Sequence, residues 1–361
     1  MSQKRILIVG QGIAGSLLAW QLLEAGSIVH LIDDGADTGA THVAPGILNP
    51  LAGKRLQPSW RVEEQLKEAH RVYEVMESRL QAQFFHRKPI LRIFKDVDQQ
   101  VFFRERQADP VFRRYVETEL ESSTIAFPLK APLGGFVSRF TGYLETGTFL
   151  STCRRWFLNE GLLWEHVLKP EMLKMHVNRS VYCAVTEQNY DAVVFCEGWS
   201  ASVNPFFNWL PFKPAKGEML DLKSVHPVHL PDMILNCGKW LLPLGNGHYR
   251  AGASYGWEPL DTVITDDARE TLLSVLASFL DITFEVTGQR AGIRPILKDF
   301  RPVLGAHPNH PSLFIFNGLG SKGVLAGPWL AKQMTAHLLG GDPIPHEMNL
   351  QRFKRYYSTG T

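Results

Sequence analysis

The sequence predicts an α/β protein, α+β overall, in which a Rossmann-like dinucleotide-binding domain is interrupted by an inserted domain built on an antiparallel sheet. Three observations predict it. A glycine motif, Gly10-Gln11-Gly12-Ile13-Ala14-Gly15, lies between an apolar strand and an apolar helix. Two further strands of the fully buried type return only far downstream, near 190 and near 313. Between them, residues 85–147 lack any βαβ rhythm and residues 213–262 are strand-like with many turn residues. The length of 361 residues suits about two domains at ~150 residues each.

The elements follow in order. Ile6, Leu7, Ile8 and Val9 form a continuous apolar run, as in a strand covered on both faces. After the glycine turn, Leu17, Leu18, Trp20, Leu22 and Leu23 carry a helix that closes at Gly26, a C-cap residue. Ile28–Ile32 is the second strand, closed by Asp33 and Asp34. Residues 38–53 read as an ordered loop. Val62, Leu66, Ala69, Tyr73, Met76 and Leu80 step by three and four, so a long amphipathic helix follows. Short β-like runs such as Ile90–Phe94 then alternate with a charged segment around 104–121. A helix is expected near 146–160, a strand over 190–196, an amphipathic helix over 266–280, a strand over 313–317 and a last helix from about Val324 to Leu339. No internal repeat or low-complexity segment is found.

Composition excludes several classes. Apolar residues make up 45% and charged residues 20%, too apolar for a disordered chain. The net charge of +2 names no partner in bulk. No apolar run is long enough for a membrane span, and Met1–Arg5 followed by Ile6–Val9 is too short for a secretory leader. Cys153, Cys183, Cys196 and Cys237 form no C-x-x-C pair. That spacing points to a reducing cytoplasm, buried thiols, no disulfide framework and no metal site.

In the glycine motif, Gly10 permits the tight turn, Gly12 lets backbone approach a pyrophosphate, and Gly15 lets helix pack on strand. The amides of Ile13 and Ala14 open the helix and offer a positive dipole end to phosphate. Asp33 lies 18 residues after Gly15 and is placed to accept hydrogen bonds from a ribose. Asp34 is either a second contact or an exposed turn residue. The motif alone fits NAD or FAD, but the break after the second strand suits a flavin fold with an inserted substrate domain.

Several further motifs, in this order, make the chain resemble the D-amino-acid oxidase superfamily of FAD-dependent oxidoreductases, glycine and sarcosine oxidases included. These are Gly39–Gly46 (Gly-Ala-Thr-His-Val-Ala-Pro-Gly), Asp191–Ser200, Ala291-Gly292-Ile293-Arg294-Pro295 with Pro302–Gly305, and Asn317–Pro328. Within the superfamily it is similar to the oxidase domain of the bifunctional enzymes that make 5-methylaminomethyl-2-thiouridine in tRNA. Gly252-Ala253-Ser254-Tyr255 and Pro343-Ile344-Pro345 carry that likeness. Lys216 and Glu218 depart from the usual Arg and Gln.

The resemblance implies noncovalent FAD in a domain of the glutathione-reductase type, made of 1–84, 148–212 and 290–361, with a substrate domain from 85–147 and 213–289. It implies flavin contacts from Thr41, His42, Ala44 and Gly46, from Val167, and from Cys196, Glu197, Gly198 and Trp199. Gly318, Gly320, Ser321, Lys322 and Gly323 would lie by the flavin's pyrimidine end. Arg294 would pair with a substrate carboxylate, its alternative being an ion pair with Asp299. Trp240 and Tyr255 would form an apolar wall. Lys322 is either a positive pole for the flavin or a solvated cation, and His42 either a ring contact, a gate or a structural histidine.

The implied reaction is oxidation of the C–N bond of a small amine or amino acid, with oxygen or a protein partner taking the electrons. A tRNA substrate is the alternative. Residues 86–114 hold eight Lys/Arg against four Asp/Glu, and Phe94, Phe102, Phe103 and Phe112 could face an RNA. Glu117, Glu119 and Glu121 follow at once and favour a solvated helix face.

Overall fold

In the computed structural model, which describes residues 3–126 and 128–357, the first apolar run is the centre of a six-stranded sheet. Met1 and Ser2 lie outside the described residues. The strand order is Leu163–Glu165, Ile28–Asp33, Arg5–Val9, Ala192–Phe195, Leu313–Asn317 and Val303–Ala306. The first five are parallel and the last is antiparallel to its neighbour. Ile6, Leu7 and Ile8 are fully buried because both faces are covered. On one face Ile6 and Ile8 join Leu17, Trp20, Phe157 and Leu330 from the helices Ile13–Glu24, Thr146–Asn159 and Gly323–Gly340. On the other, Leu7, Val9 and Val193 meet Val181, Cys183 and Tyr190 of a small antiparallel sheet.

A second sheet has eight strands: Phe284–Arg294, Ala215–Ser224, His248–Gly252, Lys239–Gly245, Ile234–Cys237, Ile90–Ile93, Gly135–Ser138 and Val116–Leu120. It is antiparallel except where Ile234–Cys237 runs parallel to Ile90–Ile93. Helix Asp266–Phe279, capped by the Thr265 hydroxyl, covers one face through Leu272, Leu276 and Phe279 against Leu220, Leu222 and Leu241. The other face looks toward the first sheet. The chain therefore passes back and forth between two sheets, and the carboxyl ends of the first sheet's parallel strands open beneath the uncovered face of the second.

Two expectations change. Phe94, Phe103 and Phe112 are buried and pack on Phe136, with Phe103 and Phe136 stacked 4.6 Å apart. They are core, and only Phe102 of that set keeps partial exposure. Glu117 and Glu119 lie not on a helix but on the exposed edge strand Val116–Leu120, where charges discourage further strand pairing. All four cysteines are free and buried. No helix of the described residues is long and apolar enough to cross a membrane.

Candidate active site

A cavity of about 1100 Å³ lies between the two sheets, slightly above the roughly 300–1,000 Å³ usual for small-molecule and cofactor sites. Its floor is the glycine turn. Gly10 has φ +97°, and a Cβ there would sit 2.7 Å from the Cys196 carbonyl oxygen. A Cβ on Gly15 would fall 1.8 Å from the Gly10 carbonyl oxygen, so only glycine lets this helix lie so close to the strand. Gly15 itself is a packing residue, while Gly10, Gly12, Ile13 and Ala14 border the cavity. Gly12 has no side chain with which to cap the helix, so the helix N-terminus and its dipole face the cavity. Thr41 adds a hydroxyl that accepts from the Ile13 amide at 3.2 Å.

Asp33 is held more tightly than the sequence implied. Its carboxylate accepts from the Gln11 amide at 2.7 Å, the Gly35 amide at 2.9 Å and Arg154 Nη1 at 2.8 Å. A carboxylate offers about four lone-pair positions, so roughly one remains for a ligand. Arg154 also grips Glu165, and nothing in the sequence singled it out. Asp34 borders the cavity while accepting from the Ala36 amide.

Thr41, His42, Ala44, Gly46, Val167, Cys196, Glu197, Gly198 and Trp199 all border the cavity. His42, on the short helix Ala40–Val43, points Nε2 at Asp37 (3.4 Å) and leaves Nδ1 buried without a partner. Glu197 accepts from Asn204 at 2.7 Å, yet burial pushes its carboxyl up to about 7. Burial also raises the Cys196 thiol well above its usual range, so it stays neutral.

From the other end of the chain come Gly320, Ser321, Lys322 and Gly323. Gly318 is not on the wall. Its backbone has φ +77° and its Cβ position is filled by Leu297, which makes it a packing turn. Lys322 stands at the N-terminus of helix Gly323–Gly340, donates to Ser59 Oγ at 3.3 Å, and has its ammonium pKa lowered by burial.

The roof is the uncovered face of the eight-stranded sheet. Met219, Ile234, Trp240, Gly292 and Arg294 project from it, and Tyr255 closes one side. Arg294 donates to the carbonyls of Lys216 and Ser254, both at 3.2 Å, and its guanidinium lies 5.1 Å from the Tyr255 ring. It pairs with no carboxylate among the described residues. Asp299 instead pairs with Arg352 at 2.8 Å, so the expected alternative for Arg294 is not realised. Desolvation lowers the Arg294 pKa.

A glycine-turn cradle under two helix N-termini, roofed by a sheet that carries an arginine with no carboxylate partner among the described residues, defines a dinucleotide-dependent enzyme. The family described as FAD dependent oxidoreductase (DAO) matches residues 5–337, and the chain belongs to it. It is 24% identical to the uncharacterized oxidoreductase YurR of Bacillus subtilis, across 93% of this chain and 95% of that one. A glycine oxidase of Pseudomonas putida is 31% identical over 37% of each chain. The tRNA 5-methylaminomethyl-2-thiouridine biosynthesis bifunctional protein MnmC of Acinetobacter baylyi is 24% identical over 99% of this chain, which spans only 58% of that protein. Among solved structures, iminodiacetate oxidase from Chelativorans sp. BNC1 and glycine oxidase from Geobacillus kaustophilus each superpose with TM-score 0.79, at 20% and 19% identity. Each covers 97% of this chain and 98% of the other.

Proposed function

We propose that the protein oxidises the C–N bond of a small amine that carries a carboxylate. The observation that supports this best is Arg294, a half-buried guanidinium on the cavity roof with two carbonyl contacts and no carboxylate partner among the described residues. A guanidinium grips a carboxylate through two parallel hydrogen bonds. The arrangement leaves room for that anion to come from the substrate.

In this reading residues 1–84, 148–212 and 290–361 hold FAD, and residues 85–147 and 213–289 shape the substrate side. Gly10 and Gly12 leave room for the pyrophosphate, which would lie against the helix N-terminus at Ile13 and Ala14, and the last lone pair of Asp33 takes a ribose hydroxyl. Bound FAD supplies the two-electron acceptor that takes a hydride from the substrate carbon. The neutral Cys196 thiol favours noncovalent attachment. Arg294 fixes the carboxylate, Trp240 and Met219 exclude water, and the cations Arg294 and Lys322 disfavour a charged amine. The nitrogen then loses a proton to solvent, and water hydrolyses the resulting C=N bond to a carbonyl and an amine. A cytoplasmic setting is part of the same proposal.

The tRNA alternative loses its aromatic surface, because Phe94, Phe103 and Phe112 are core. The test is anaerobic bleaching of bound flavin by a panel of N-alkyl amino acids, followed by oxygen uptake and dye reduction. Bleaching by carboxylate-bearing amines, and not by their decarboxylated analogues, is expected. If none of them bleaches the flavin, the proposal is wrong. Turnover with dye alone would assign the electrons to a protein partner.

A further inference from the structure

The cavity roof carries a second guanidinium, this one buried, that the proposed chemistry does not use. Arg92 sits in the strand Ile90–Ile93, is 8% exposed, and borders the cavity. Nη2 donates to the Gly53 carbonyl at 2.9 Å, while Nε is buried with no partner among the described residues. Beside it, Lys95 also borders the cavity and joins no ion pair among the described residues. The carboxylate at this end, Asp96, accepts from the Gln99 amide and faces Lys54, which Asp98 shares. Two carboxylates thus share Lys54, and with Arg92 and Lys95 this end of the cavity keeps a surplus of positive charge. Between this pair and Arg294 lies Lys239, whose ammonium donates to the Ala253 carbonyl and whose pKa is lowered by burial, by Arg294 and by Lys95.

A buried guanidinium whose side-chain donors meet a single carbonyl is costly unless an anion completes it, and the exposed Lys95 ammonium at the same end adds to its positive field. We infer that Arg92 and Lys95 form a second anion subsite in the same cavity as Arg294. The substrate is then an amine with two acidic ends, a dicarboxylic secondary amine, rather than a simple α-amino acid. This rests on the proposed function for the first carboxylate. The geometry adds a length requirement. The strands of Arg92 and Arg294 are separated by four others, or about 24 Å across a flat sheet at ~4.8 Å per step. Curvature and two long side chains shorten that span, but a substrate reaching both ends still needs an extended spacer.

The experiment uses the FAD-loaded protein and N-(carboxyalkyl)glycines of increasing spacer length, each beside the N-alkylglycine of matching length. The expected result is an optimum spacer at which the terminal carboxylate raises kcat/KM at least about tenfold over its uncharged match, the scale of a charge-assisted hydrogen bond. Arg92→Met should bring that ratio to about one and leave the N-alkylglycine rate near wild type, while Arg92→Lys keeps part of it. Loss of the Gly53 contact alone would lower both rates together and leave the ratio unchanged. An unchanged ratio in Arg92→Met, or no preference at any length, overturns the subsite. If no amine is oxidised, the proposed function fails separately. The subsite is then read from flavin absorbance changes on titrating long dicarboxylates against monocarboxylates. Tighter dicarboxylate binding that Arg92→Met abolishes supports it, and equal binding refutes it.

Discussion

Gly217 offers a way to move the Arg294 guanidinium without removing it. Gly217 lies opposite Gly292 on the neighbouring strand, directly under the arginine head group. A Cβ at Gly217 would stand 2.1 Å from Arg294 Nη2 and 2.3 Å from Cζ. Ordinary contact begins at 3.4 Å, so the head group must retreat by about 1.3 Å. It is the end of a flexible side chain, held by two carbonyls and the Tyr255 ring, so the strand itself has no reason to yield. Gly217→Ala should therefore fold, bind FAD and keep its melting temperature within a few degrees. A displacement of about 1 Å in a positioning group can cost up to ~100-fold. We expect kcat/KM for a carboxylate-bearing amine to fall about 10- to 100-fold, mainly through KM. The decarboxylated amine should react at an unchanged rate. Steady-state oxygen uptake or dye reduction on both amines checks this. An unchanged KM, or an equal loss on both, would show that Arg294 does not set the carboxylate's position.

Gly15→Ala places a methyl 1.8 Å from the Gly10 carbonyl oxygen and should abolish FAD binding, seen as loss of flavin absorbance relative to protein. Glu197 holds its proton to about pH 7 when folded and loses it near 4.5 when unfolded. In the flavin-free protein the contribution of Glu197 to stability should thus be fully present below about pH 4.5, be lost as pH rises to about 7, and stay lost above that. The loss is at most about 3 kcal/mol at 1.36 kcal/mol per unit. Glu197→Gln should flatten that slope in urea unfolding at several pH values. Phe103→Ala opens a cavity beside Phe94, Phe112 and Phe136 and should cost about 3–5 kcal/mol; a cost under 1 kcal/mol would return these rings to the surface. Lys322→Met removes a cation at the cavity wall and should lower the flavin reduction potential, measured by equilibrium reduction against a dye.

What could be read from the chain depends on whether the determining contacts are local. The glycine turn is local, and Gly10, Gly12 and Asp33 lie where their spacing put them. The stripe Val62–Leu80 is local too, and its step of three and four became the buried face of helix Val62–Leu80. Arg294 was identifiable only through the family's motif, because nothing nearby says that its strand ends on a cavity roof. Arg92 and Arg154 gave weaker signals. A charge inside the apolar run Ile90–Phe94 was visible, but its meaning depends on which face of an eight-stranded sheet it occupies. That face is fixed by the register Asn236↔Arg92 and by strands more than a hundred residues away. The phenylalanines of 94–112 were misread for the same reason. Composition shows that aromatic and basic residues alternate, while only the packing against Phe136 shows which of them turn inward. The departure at 216–218 has a similar resolution. Lys216 pairs with Asp261 at 2.7 Å, and Glu218 accepts from Thr265 and Gln289. The two unusual residues are thus satisfied by partners of their own, and between them Gly217 remains bare beneath the guanidinium. A change of side chain at two positions, and of charge at 218, has left the space for Arg294 intact. That is the expected outcome if the strand must above all keep that space clear.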